Sequence, residues 1–146
     1  MIFESFSTED TKKIAIEMAS TAKAGDVYCL IGDLGAGKTA FTKSFAYGLG
    51  LIDIVTSPTF SIVNEYSSSL NNLSPTLYHF DVYRIKDIQE MEDTGYEDYF
   101  YGNGIVIIEW ADLIKDLWPP NCIVIIFSLG DKNEYHRIIE VRRHAK

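Results

Sequence analysis

The run Gly32-Asp33-Leu34-Gly35-Ala36-Gly37-Lys38-Thr39 satisfies the pattern G-x-x-x-x-G-K-[ST] at every fixed position. Residues of these types at this spacing wrap a polyphosphate. Glycine lets the backbone curl tightly enough for successive N–H groups to point at one anion. Lys38 would reach the outermost phosphates, and the Thr39 hydroxyl would complete the coordination of a magnesium ion. The run therefore points to a bound nucleoside polyphosphate.

Two carboxylates are candidates to complete such a site. Ile105-Val106-Ile107-Ile108-Glu109 is four aliphatics ending in an acid, the shape of a Walker B strand with Glu in place of Asp. A buried strand running into Glu109 would bring negative charge close to Mg2+, directly or through a water. Leu77-Tyr78-His79-Phe80-Asp81 ends in a second acid. Asp81 could orient or deprotonate an attacking water, or sit behind the metal ligands; a charged strand exit with no catalytic part is the structural alternative. Arg84 could stabilise transition-state charge or pair with an acid. His79, inside the strand, reads as a hydrogen-bonded core residue. With three His in the chain and no close Cys or Asp pairing, a zinc site has little support. Thr56-Ser57-Pro58-Thr59-Phe60 lies where a switch loop would sense the γ-phosphate, with Thr59 offering a hydroxyl; a plain turn is the alternative. Trp110, directly after Glu109, could cover the site or pack in the core.

The elements that must position these groups follow from the hydrophobic pattern. Residues 27–31 read as a buried strand before the loop, and a helix runs from Lys38 to about Tyr47, ended by Gly48 or Gly50. A helix begins with Ser7 or Thr8 as its cap and runs to about Lys23. Further strands are expected at 60–66, 77–82, 105–108, 122–129 and 138–141. A polar loop spans 67–75, a helix covers 87–99, and a short helix at 111–117 is stopped by Pro119-Pro120. The expected fold is α/β: a P-loop NTPase-like three-layer sandwich on a mixed sheet, parallel near the phosphate loop with antiparallel C-terminal strands.

With 146 residues, the chain reads as one domain over 1–146. It carries 13 Lys and Arg against 21 Asp and Glu, a net charge of −8, the wrong sign for a protein that grips nucleic acid by itself. Acids near the N-terminus argue against a secretory signal, and the apolar runs are too short to cross a bilayer, so a cytoplasmic location is expected. Cys29 and Cys122 read as buried apolar thiols.

The phosphate loop Gly32–Thr39, then Ser57-Pro58-Thr59-Phe60, His79-Phe80-Asp81-Val82-Tyr83-Arg84 and Glu109-Trp110, resemble in order and spacing the TsaE family, bacterial ATPases of tRNA threonylcarbamoyladenosine biosynthesis formerly called YjeE. The resemblance covers nearly the whole chain. It implies ATP and Mg2+ as cofactors, and hydrolysis that drives or resets a modification cycle run with two protein partners, TsaD and TsaB; slow hydrolysis in isolation is expected because no positioned arginine finger is evident. It further implies catalytic roles for Lys38, Asp81 and Glu109, and metal binding by Thr39 and Glu109. Nucleotide contacts would come from Gly32, Asp33, Leu34, Gly35, Ala36, Gly37, Lys38, Thr39, Thr59 and Trp110, with Thr8 and Thr11 near the base or sugar. Phe80 and Val82 stand where Leu or another apolar residue is common in the family. The acidic balance agrees with contacts to proteins more than to tRNA. ATP is also favoured because the N-K-x-D element that reads guanine is absent. A small kinase would need cationic lid residues, and the chain has only four Arg; a non-catalytic nucleotide-gated module is the other alternative.

Overall fold

The computed structural model describes residues 1–33, 35–51, 62–67 and 75–145. Its strands are β1 (Ile2–Ser5), β2 (Val27–Gly32), β3 (Val63–Tyr66), β4 (Leu77–Asp81), β5 (Ile105–Glu109), β6 (Ile123–Leu129) and β7 (Arg137–Arg143). Its helices are α1 (Thr8–Ser20), α2 (Lys38–Gly48), α3 (Ile88–Asp93) and α4 (Tyr96–Phe100), with a 3-10 segment at Ala111–Leu117 kinked at Ile114. The seven strands form one sheet in the order β1-β7-β6-β2-β5-β4-β3. The four inner strands β6, β2, β5 and β4 are parallel. β3 is antiparallel to β4 at one edge, while β7 and β1 close the other edge as antiparallel strands. The expected α/β sandwich on a mixed sheet is what the chain forms.

The inner strands are aliphatic on both faces because both faces are covered. Tyr28, Leu30, Ile107, Ile125 and Phe127 face α1 and α2, where Ala15, Phe41 and Phe45 meet them. The alternate residues Val27, Cys29, Val106, Ile108 and Val124 face α3, α4 and the 3-10 segment, and pack with Met91, Phe100, Ile114 and Trp118. Cys29 and Cys122 are free thiols buried in this second layer, as their aliphatic neighbours suggested. Among the described residues no helix is long and apolar enough to cross a membrane.

The helix starts follow their capping residues. The Ser7 side chain accepts from the Asp10 N–H at 3.1 Å, and Asp10 Oδ2 accepts from the Phe6 N–H at 2.9 Å, a reciprocal box that sets the first turn of α1. Helix α1 ends at Ser20 rather than Lys23. The helix expected over 87–99 is two short ones. Thr94 closes α3, and Gly95, at φ 70°, turns the chain into α4. The largest departure is β1. Four residues with one buried side chain carry too little apolar alternation to announce a strand, and they become one by pairing Ile2–Ser5 with Arg137–Glu140 of β7. The part of the expected 60–66 strand before residue 62, and most of the 67–75 loop, lie outside the described residues.

Helices α1 and α2 approach closely at Gly48. A Cβ there would sit 2.8 Å from Ala19 Cβ and 3.0 Å from Ile16 Cα. Alanine would gain about 1 kcal/mol of helix propensity, offset by overpacking of about 1–3 kcal/mol; valine adds two more methyls to the same gap. Gly48→Val is therefore expected to lower unfolding stability by about 2 kcal/mol, read as a lower urea midpoint with unchanged slope.

Candidate active site

The glycine-rich loop expected to hold phosphate links β2 to α2 at the carboxyl edge of the parallel strands, where ligands of α/β sheets collect. Gly37 stands at the helix start with φ 105°, a conformation that side-chain-bearing residues rarely adopt, and no side chain caps the first turn of α2. The leading amides of α2 are therefore open to an anion, reinforced by the positive end of the helix dipole.

Lys38, the first residue of α2, is 5% exposed. Its ammonium donates to the carbonyls of Gly32 and Asp33 and lies 3.9 Å from the centre of the Trp110 ring. Burial pulls its pKa below the usual lysine value, opposed by the charges of Glu109, Asp112, Asp33 and Asp81. Trp110 holds a left-handed backbone, φ 62°, and its ring packs 4.6 Å from that of Tyr83. It thus bridges the end of β5 to the chain leaving β4 and covers the lysine head.

Glu109 ends β5 and is 2% exposed. The Thr39 hydroxyl donates to its Oε1 at 2.9 Å, and His79 Nε2 lies 2.5 Å from its Oε2. The strand register explains the convergence. Asp81 is paired with Glu109 and His79 with Ile107, so His79, Asp81 and Glu109 share the sheet face that lies under α2. Asp81 is half-buried and its Oδ1 accepts from the Tyr83 N–H at 3.0 Å. Its pKa is raised, first by burial and also by Glu109, against lowering effects of the Tyr83 hydrogen bond, His79 and Arg84.

Lys38, Thr39, Asp81, Glu109 and Trp110 are thus drawn together. The donor set fits magnesium. Thr39 Oγ1 and Glu109 Oε1 are oxygen donors 2.9 Å apart beside an anion site, and among the described residues no cluster of three or more His, Cys, Asp or Glu offers a protein-only cage. Gly32, Asp33, Gly35, Ala36 and Gly37 line the loop. Thr11 is buried with its hydroxyl 2.7 Å from Ser5 Oγ, while Thr8 is the exposed first residue of α1; neither belongs to the group that meets around Glu109. Leu34 and Thr59, with the rest of the 56–60 run, lie outside the described residues. His79 is the residue that sequence reasoning placed in the core and the structure places on the candidate metal carboxylate. The signal was its two-residue offset from Asp81, which puts it on the acid's face of the strand, but only the β4–β5 register shows what it meets.

A mixed sheet, parallel at its centre and flanked by helices on both faces, with a glycine loop opening onto a helix and a buried acid at the end of the neighbouring strand, is an α/β fold of P-loop NTPase-like architecture. The sequence model described as threonylcarbamoyl adenosine biosynthesis protein TsaE matches residues 5–139. The tRNA threonylcarbamoyladenosine biosynthesis protein TsaE of Bacillus subtilis strain 168 is 48% identical over 126 residues, covering 86% of this chain and 76% of the relative. That of Treponema pallidum is 36% identical over 128 residues, 87% of this chain and 91% of the relative. A crystal structure of Bacillus subtilis YdiB superimposes with a TM-score of 0.77 at 38% identity, covering all of this chain and 86% of that one. The chain belongs to the TsaE family of tRNA threonylcarbamoyladenosine biosynthesis proteins.

Burial makes the charged form of Asp81 costlier in the folded chain than in the unfolded one, so the folded chain binds that proton more tightly. This contribution favours folding as pH falls through the raised value, is complete below the unfolded value of about 3.9, and is absent at neutral pH. Asp81→Asn, which keeps the shape without the charge, is expected to melt above the parent at about pH 7, with the gap closing towards about pH 4. Melting curves across that range check it; a gap independent of pH contradicts it.

Proposed function

We propose that the chain is a magnesium-dependent ATPase whose turnover serves the threonylcarbamoyladenosine cycle together with TsaD and TsaB. The observation that carries this reading is the meeting of the Thr39 hydroxyl with the buried Glu109 carboxylate at the uncapped start of α2. A hydroxyl and a carboxylate beside an anion site are what a nucleotide-bound Mg2+ needs from the protein.

In this reading the loop amides and the leading amides of α2 bind the phosphates, and Lys38 exchanges its two carbonyl partners for phosphate oxygens. Thr39 and Glu109 would hold a magnesium ion, which would supply neutralisation of charge on the phosphates. Both Glu109 oxygens are engaged by Thr39 and His79. Asp81 has an oxygen beyond the one bonded to Tyr83, and its raised proton affinity suits it to orient the attacking water and take up its proton. Trp110 keeps water from the lysine head. The chain's Arg84 is exposed, so a partner-supplied or partner-ordered group is expected to raise a slow basal rate. The net charge of −8 favours docking on proteins rather than on tRNA itself.

Lys38→Ala is expected to weaken ATP binding at least 10-fold. Glu109→Gln should retain metal-free ATP binding within about 2-fold and lose hydrolysis by 100-fold or more, consistent with a role confined to the metal-dependent step. Calorimetry and phosphate release measure the two effects. With TsaD and TsaB present, tRNA modification beyond one turnover should require hydrolysable ATP; multiple turnovers supported by a non-hydrolysable analogue would overturn the reading.

A further inference from the structure

The geometry points to His79 as a positioning residue that holds Glu109 in the orientation a divalent cation requires. His79 is 0% exposed, and its Nε2 is 2.5 Å from Glu109 Oε2 while Thr39 occupies Oε1. An ionised carboxylate only accepts hydrogen bonds, so Nε2 carries the hydrogen. Nδ1 is buried without a partner among the described residues. Leaving a buried polar atom unpaired is unfavourable, and Leu or Met would fill an apolar niche without that cost. What the imidazole adds at this position is the bond to Glu109.

The two bonds on Glu109 differ in kind. Thr39 belongs to the loop–helix junction and has a task of its own, offering a hydroxyl lone pair to the cation while its hydrogen stays on Oε1. His79 sits within β4, between β5 and β3, and has no such second task. It is the contact whose sole part is to keep the carboxylate plane aimed. Residues that orient metal ligands in this way commonly change metal affinity or activity 10- to 100-fold when removed. The role rests on the ATPase reading above and makes a separate prediction: His79 affects steps that need the cation and leaves metal-free nucleotide binding alone.

The test compares His79→Met, which fills the space without a donor, with His79→Gln, which offers an amide N–H in its place. Mn2+ titration of the ADP complex by electron paramagnetic resonance should show about 10-fold weaker metal binding for His79→Met and recovery of most of it by His79→Gln. The Mg2+ concentration for half-maximal phosphate release should rise in parallel, and ATP affinity without metal should stay within about 2-fold of the parent. Parent-like Mn2+ affinity in a folded His79→Met, or equal loss in both variants, overturns the role. Should His79→Met not fold, the parent answers through the His79 ring N–H proton resonance, assigned with His136 and His144 variants. It is expected to shift on adding Mg2+ with ADP and not with ADP alone, and a resonance indifferent to metal overturns the proposal. A parent that neither binds nor hydrolyses ATP overturns the ATPase reading and this role together, whereas a working parent with an unaffected His79→Met overturns His79 alone.

Discussion

A carboxylate almost without access to water, at the end of β5, constrains the arrangement of everything around it. Burying an ionised Glu109 costs several kcal/mol unless its lone pairs are matched. The matches come from two elements far apart in the chain: Thr39 at the start of α2, and His79 within β4. Moving α2 outward or slipping β4 by a residue would strand the charge. The need to satisfy one acid therefore couples the phosphate loop to the sheet. It also explains why a charged group is kept inside a core that apolar residues would fill more favourably.

The sheet supplies the rigid frame for this coupling. Apolar side chains on both faces of β2, β5 and β6 lock the strands between two layers of helix, so the polar groups emerge at one edge. At that edge each strand end offers a different group: an amide-rich loop after β2, Asp81 as the last residue of β4 and Glu109 as the last residue of β5. α1 bears on the site at one remove, packing on α2 through the close approach at Gly48. The Ser7–Asp10 box and the Ser5–Thr11 hydroxyl pair set where α1 begins, and this accounts for Thr11 without any ligand.

Lys38 adds a resting arrangement to the frame. Its ammonium satisfies itself on two loop carbonyls and the Trp110 face, in a place where burial lowers its affinity for a proton and four surrounding acids offset only part of that loss. A cation held this way has partners that a phosphate can replace with stronger ones, because charge-assisted bonds to anionic oxygens exceed those to neutral carbonyls. Trp110 keeps a left-handed backbone conformation that its size disfavours, held where the end of β5, the 3-10 segment and Tyr83 meet.

The local chemistry was legible from residue order alone. Gly37 before Lys38 and Thr39 announces a tight turn opening onto a helix, aliphatic runs announce buried parallel strands, and an acid closing such a run announces Glu109; each is a relation among neighbours in the chain. The Ser7 cap and the burial of Cys29 and Cys122 were legible for the same reason. β1 was not, because four residues become a strand only when β7 offers an edge to pair with. Nor was the break at Gly95, whose left-handed backbone divides the expected helix into two. His79 is the sharpest case. Its position in a strand made it a core residue, which it is, but the partner of its ring depends on strand order and register, both set by long-range pairing rather than by neighbours. The residue types and their local order by themselves determined that a glycine loop before a helix and two strand-end acids exist; only the tertiary structure decided which groups meet, because a hydrogen bond across 30 residues of chain requires the sheet to be assembled first.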